Sequence, residues 1–366
     1  MTTYASANPY ELWTSRRLLG VFRQNRPETW AFGRYFTNQM RSTEEWIDFE
    51  KLPIRSRSLA PFVKPKGEGH GVFTDRVQGY RFKPANIVVQ DAVDELRPLT
   101  QQPGIDYSML SLGTLTPMQR IALIKMAMAA EFQLAVERRW EWMKARAIID
   151  GKVTCVYRDG TSVEVDFQRA SGHTEVLSSG NRWGDSGVSI YSKFQSVMDT
   201  MNNAAFGGTM VHAEMGQGVA NVLLADTEIK AKMEQYHPVP GVNVERGLIN
   251  GSGEKRYSIG SFTVGGNSGQ RIELWVNNET YTADNGSAAR YLGTNEIVFT
   301  STPEAINGYE CFGMIVDKDA EYQALPMFPK NFVTGERVKT EHISIESAPL
   351  FVPINPDATY KLTPIA

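Results

Sequence analysis

The sequence predicts an α+β fold in which two long segments have no core of their own. Residues 117–149 carry one helical apolar stripe, and short strand-like runs with Gly and Pro turns fill the second half. Residues 51–90 hold charge, Pro and Gly with only isolated apolar side chains. A long helix followed by segregated strands is the α+β pattern.

Residues 1–50 hold ten aromatics, among them Trp13, Trp30 and Phe36. Disordered tails are poor in aromatics, so this arm buries itself, either on its own domain or on a neighbouring subunit. Residues 51–90 carry eight Lys or Arg against two acids, +6 in a chain of −3. Val63, Val72, Val77 and Phe82 appear singly, with Pro and Gly at the bends, which reads as a long hairpin or loop. A two-stranded ribbon is marginal in water, so something outside it must hold it.

The helix is bounded by Thr116 as N-cap, Pro117 in the first turn, Gln119 closing a capping box and Gly151 as the stop. Ile121, Ile124, Met128, Phe132, Val136, Trp140, Met143 and Ala147 form its stripe, which reads as core. Residues 153–167 read as a hairpin around Asp159-Gly160, and 170–188 as a Gly- and Ser-rich loop. Residues 189–236 carry two helical patterns separated by "ANVLLAD", which looks like a buried strand. Short strands such as "IELWV" and "NEIVFT" follow, and the last 50 residues are strand-like with Pro punctuation.

With 42% hydrophobic and 22% charged residues the chain can build a real core. The net charge of −3 argues against tight nucleic-acid binding, although the aromatic and basic ribbon is the kind of segment that single-strand binders use. Cys155 and Cys311 make no disulfide framework or CxxC pair, which suits a reducing cytosol at synthesis. The start has no apolar run of a signal peptide, and Arg120, Lys125 and Glu131 interrupt the most apolar stretch, 117–136.

Catalytic motifs are weak. "GDSG" (184–187) would make Ser186 a nucleophile, but neither His70 nor His173 stands in a fitting context. "HAE" (212–214) lacks the PCxxC that a zinc deaminase needs. "GQG" and "GGNSG" join no strand to a phosphate-binding helix. No catalytic residue, cofactor or metal is expected.

The end of the chain is more specific. Phe328-Pro329-Lys330-Asn331-Phe332, Ser347-Ala348-Pro349-Leu350 and Pro356-Asp357 resemble the closing segment of the lambda-type capsid protein E family of phage major capsid proteins. Phe62-Val63-Lys64-Pro65-Lys66 is similar to that family's extended-loop block, and the long helix falls between, as the family's spine helix does. The resemblance implies the Hong Kong 97 type capsid fold: an N-terminal arm (1–50), an extended loop (51–95), a peripheral domain with the spine helix (96–188), an axial domain (189–319) and return strands of the peripheral domain (320–366).

It also implies a virion shell subunit, made in the host bacterial cytoplasm. This subunit self-assembles into hexamers and pentamers around double-stranded DNA, with a decoration protein, scaffold and portal as further partners and no membrane. The candidate inter-subunit contacts are Trp13, Trp30 and Phe36 in the arm and Arg55, Arg57, Phe62, Lys64, Lys66, Arg76, Arg81 and Lys83 in the ribbon. Two rival readings remain, a tail-tube subunit and a hydrolase using Ser186. The long helix speaks against the first.

Overall fold

The long helix organises the rest. The computed structural model describes residues 31–51, 78–93, 117–234, 255–265, 269–335 and 340–365. Within it α1 runs Pro117–Ile149, as the periodicity predicts. Ile124, Met128, Phe132, Val136, Met143 and Ala147 of the stripe are buried, and Ile121 and Trp140 are half-buried. The last turns are buried beyond the stripe as well, since Ala145, Ile148 and Ile149 lie off it and are inaccessible. Gly151 stops the helix at φ 68°, a left-handed position that a Cβ would strain. Thr116, the expected cap, lies outside the described residues.

A six-stranded sheet lies downstream. Its strands are β7 (Thr174–Val176), β8 (His212–Met215), β9 (Arg256–Val264), β10 (Gln270–Asn277), β13 (Ile297–Thr300) and β18 (Thr359–Thr363), in the order β7-β18-β13-β8-β10-β9. β8 runs parallel to β10, and β18 parallel to β7; the other pairs are antiparallel. β7 and β18 come from outside residues 189–319. Alternation divides the sheet into two faces. Ala213, Met215, Ile272, Leu274, Val276, Ile297 and Phe299 form one core with the helices α2 (Ile190–Asn203), α3 (Gln217–Ala225) and α4 (Thr227–Glu234). The opposite face carries Glu214, Trp275, Asn277, Val298 and Thr300.

α3 corrects one expectation. "ANVLLAD" lies in a helix with Val219, Ala220 and Leu223 buried, and it is not a strand. A short apolar run has no period of its own, and a three- and four-residue spacing wins once one side faces a sheet. The strand of this region is the preceding "HAEM".

The other cores surround α1. β1 (Phe36–Arg41) pairs parallel with β14 (Gly308–Phe312), which pairs antiparallel with β17 (Pro349–Pro353). Trp140 of α1 packs on Phe312 and Phe351 at 5.3 and 6.2 Å between ring centres. A second three-stranded sheet joins β15 (Phe328–Thr334), β16 (Thr340–Ser347) and β4 (Ile87–Val93). Its Ile343 and Ile345 meet Ile124, Met128 and Val136.

The predicted hairpin is present as β5 (Lys152–Val156) and β6 (Ser162–Asp166). Its turn is wider than a two-residue one. The Tyr157 N–H donates to the Thr161 carbonyl, and Gly160 takes φ 85° as the left-handed residue of a three-residue loop. β11 (Thr280–Thr282) and β12 (Ala288–Arg290) make a further small hairpin.

Candidate inter-subunit site

The ribbon has a fixed root. β2 (Ile47–Lys51) pairs antiparallel with β3 (Gln78–Phe82), matching Ile47 with Phe82, Asp48 with Arg81 and Lys51 with Gln78. Period-two alternation turns Ile47, Phe49 and Phe82 inward. Phe49 packs on Tyr309 at 6.1 Å, and Phe82 packs edge-on against Phe167 at 5.7 Å. The β2–β3 pair is thus anchored on its own body through Phe49 and Phe82, and residues 52–77, between Lys51 and Gln78 in sequence, lie outside the described residues.

The outward face carries two of the candidate cations, both already paired. Arg81 donates to both oxygens of Asp48 at 2.7 and 2.9 Å, and Lys83 donates to Glu45 at 2.8 Å. The Arg81 hydrogen bond holds the Asp48 carboxyl below its ordinary range, and the Glu45 hydrogen bond raises the Lys83 ammonium. All four side chains are exposed, where such pairs contribute little stability. They do consume charge, so Arg81 and Lys83 offer little net attraction to a neighbour. Trp46 stands beside Lys83, 5.9 Å from ammonium to ring centre and 43% exposed.

Phe36, the remaining described candidate, lies inside its own subunit at 4% exposure, edge-on to Phe351 at 5.8 Å. Ala31, Phe32, Tyr35, Phe36, Ile47 and Phe49 belong to one core of their own subunit. The side chain of Phe36 is thus core, for the reason that makes β1 a sheet strand: it pairs with β14 over Phe36–Arg41. Trp13, Trp30, Arg55, Arg57, Phe62, Lys64, Lys66 and Arg76 lie outside the described residues.

Sequence reasoning missed a buried ionic joint. Glu214, 1% exposed, accepts from Arg34 at 2.8 Å, Arg256 at 2.7 Å and Asn277 at 3.3 Å. Arg34 also donates to the Tyr35 hydroxyl, which bonds Thr300 at 2.6 Å. On the helix side, the Phe32 N–H donates to Glu141 at 2.7 Å, and Lys144 donates to Glu310 at 2.5 Å. Burial pushes the Glu141 carboxyl up to about 8, against the Phe32 hydrogen bond and Lys144, which lower it. The one sequence signal was an acid within the strand "HAEM". Its partner Arg34 is 180 residues away, and no local pattern reports that.

"HAE" is therefore half of an ion-pair network. No group of three or more metal-ligating side chains occurs among the described residues. Burial and then Arg34 lower the His212 pKa. Ser186 is exposed in a loop that Asp185 ties by accepting the Gly180 and Arg182 N–H groups. His173 is buried, with Nδ1 3.1 Å from the Thr359 carbonyl oxygen. Ser186 is thus at the surface, whereas His173 is buried against Thr359 of β18. A groove of about 760 Å³ runs between α1, β4 and the β11–β12 hairpin, lined by Val88, Arg138, Arg139, Trp142, Tyr281 and Asp284.

Comparison with known proteins covers nearly the whole chain. The family model for Phage major capsid protein E matches residues 14–364. The major capsid protein of Escherichia phage lambda is 24% identical over 361 residues, 94% of this chain and 97% of the relative. That of Escherichia phage N15 is 24% identical over 315 residues, 82% of this chain and 84% of the relative. The crystal structure of a prophage capsid protein from E. coli CFT073 superposes with a TM-score of 0.67 at 16% identity, over 97% of this chain and 100% of that one, so the two share a fold. Helix and strands together give the α+β class, and the fold is that of the Hong Kong 97 type capsid proteins. The chain belongs to the phage major capsid protein E family.

Proposed function

We propose that the protein is the major capsid subunit of a tailed bacteriophage, which self-assembles into hexamers and pentamers of an icosahedral shell around the DNA genome. The observation that carries this reading is the family match across residues 14–364. The anchored ribbon supports it. Phe49 and Phe82 tie down the β2–β3 pair that flanks residues 52–77 in sequence, and the composition of 52–77 holds Arg55, Arg57, Phe62, Lys64, Lys66 and Arg76 with few apolar side chains. A neighbouring copy would supply the missing complement. Each contact can be modest, because several around one subunit act together.

The arm residues before Ala31 serve the same purpose, with Trp13 and Trp30 as anchors. In this reading 189–319 forms the axial domain, and 96–188 with 320–366 the peripheral domain. A decoration protein, scaffold and portal are the other partners, and the DNA is enclosed without sequence-specific contact. The role is structural and uses no catalytic residue. Among the described residues no helix is long and apolar enough to cross a membrane.

The test is electron microscopy of the protein expressed alone, beside a variant with 52–77 replaced by a short Gly-Ser turn. Closed shells are expected from the first and folded, unassembled subunits from the second. Tubes from the wild type, or shells from the shortened variant, would refute the assignment or the ribbon's part in it.

A further inference from the structure

We propose that Ala31–Phe36 is a releasable clasp, held shut by the buried Glu141 side chain, which opens as pH rises. Three bodies meet at this segment. Phe32 and Tyr35 are 1% and 0% exposed, Arg34 reaches Glu214 on the six-stranded sheet, and the Phe32 N–H rests on Glu141 of α1. A Cβ on Gly33 would sit 3.8 Å from Glu141 Oε2 and 3.9 Å from Lys144 Nζ, so both groups face the clasp backbone. Glu141 Oε2 is buried and makes no hydrogen bond. A carboxylate there would carry a charge with one backbone donor to serve it, which is costly in such a site.

The surrounding charges do not relieve it. From α1 itself Lys144 faces Glu141, but that ammonium is bound to Glu310 of β14. Glu214 of β8 and Glu279, next to β10, face it with like charge. Tyr291, ahead of β13, lies in the same field with Arg138. From the clasp, Arg34 is committed to Glu214. The docked carboxyl therefore keeps its proton to about 8, whereas a released one would lose it near its ordinary 4.5. The sign follows. The proton's contribution to the closed state is complete below 4.5, falls by up to about tenfold in the clasp equilibrium per pH unit between 4.5 and 8, and is gone above. Opening frees six residues, about 20 Å of extended chain. The clasp and its test do not rest on the arm reading above.

Unassembled subunits are digested briefly with trypsin at pH 6 and pH 8, with rates corrected by a small chromogenic substrate and cuts assigned by mass. The cut after Arg34 is expected to be more than tenfold faster at pH 8 in the wild type and nearly pH-independent in Glu141→Gln, which keeps the acceptor and loses the titration. Cuts after Arg146, inside α1, report global unfolding and should stay rare at both pH values. A flat wild-type profile, a slope retained in Glu141→Gln, or Arg146 cuts rising in parallel would overturn the clasp. The wild-type pair of cuts decides even where the variant fails to fold. Shells seen by microscopy beside a flat profile would sink the clasp and leave the shell reading intact.

Discussion

At the scale of single residues, the most consequential side chains are acids in places where acids are rare. Glu214 lies 1% exposed between two guanidiniums, and its value lies in what its loss would leave behind. Replacing a buried ion pair wholesale can be neutral, but removing one partner leaves uncompensated charge. Glu214→Gln keeps the shape and removes the negative charge between Arg34 and Arg256. It is expected to destabilise the unassembled subunit by about 3 kcal/mol, the lower end for a broken buried pair because both arginines are partly exposed. Denaturant unfolding of the two proteins measures this, and a loss below about 1 kcal/mol would make the joint ornamental. An Arg34→Ala and Glu214→Gln double-mutant cycle should show coupling of about 1 kcal/mol or more, as groups in one network do. Cys311, buried in β14, has its thiol pushed up to about 12 by burial and stays a packing residue.

At the scale of elements, legibility followed the length of the periodic signal. α1 repeats its apolar spacing over 33 residues, and both its ends were readable from Pro117 and Gly151. α3 has nine residues and no such repeat, which is why "ANVLLAD" looked like a strand. The helix makes a sharp distinction between neighbours: Leu223 is inaccessible, whereas Leu224 is 37% exposed. Leu223→Ala is expected to cost about 2–5 kcal/mol, the range for a buried leucine, and Leu224→Ala less than about 1 kcal/mol. Thermal unfolding of both variants checks this, and equal losses would contradict the helical placement. The β5–β6 hairpin was legible from Asp159-Gly160, yet not its loop length. An Asp-Gly pair suits both a two-residue turn and the left-handed end of a three-residue one.

At the scale of the whole molecule, the charge of the ribbon divides in two. Arg81 and Lys83 at the root are neutralised by Asp48 and Glu45 of the same subunit. Any salt-sensitive attraction between copies then rests on Arg55, Arg57, Lys64, Lys66 and Arg76. Lys64→Ala with Lys66→Ala should flatten the salt dependence of assembly, followed by light scattering across a sodium chloride series, while Arg81→Ala should leave the slope as it is. Equal effects from the root and the far segment would undo that division. The sequence alone determined the class, the long helix and, through its closing blocks, the family, because these are written in composition and local period. The tertiary structure alone decided that Phe36 is core, that the root cations are spent at home, and that Glu214 and Glu141 grip the segment at Ala31–Phe36. Phe36, Glu214 and Glu141 depend on partners more than a hundred residues distant, the root cations on acids 33 and 38 residues away, and burial is a property of the packed chain that no local stretch encodes.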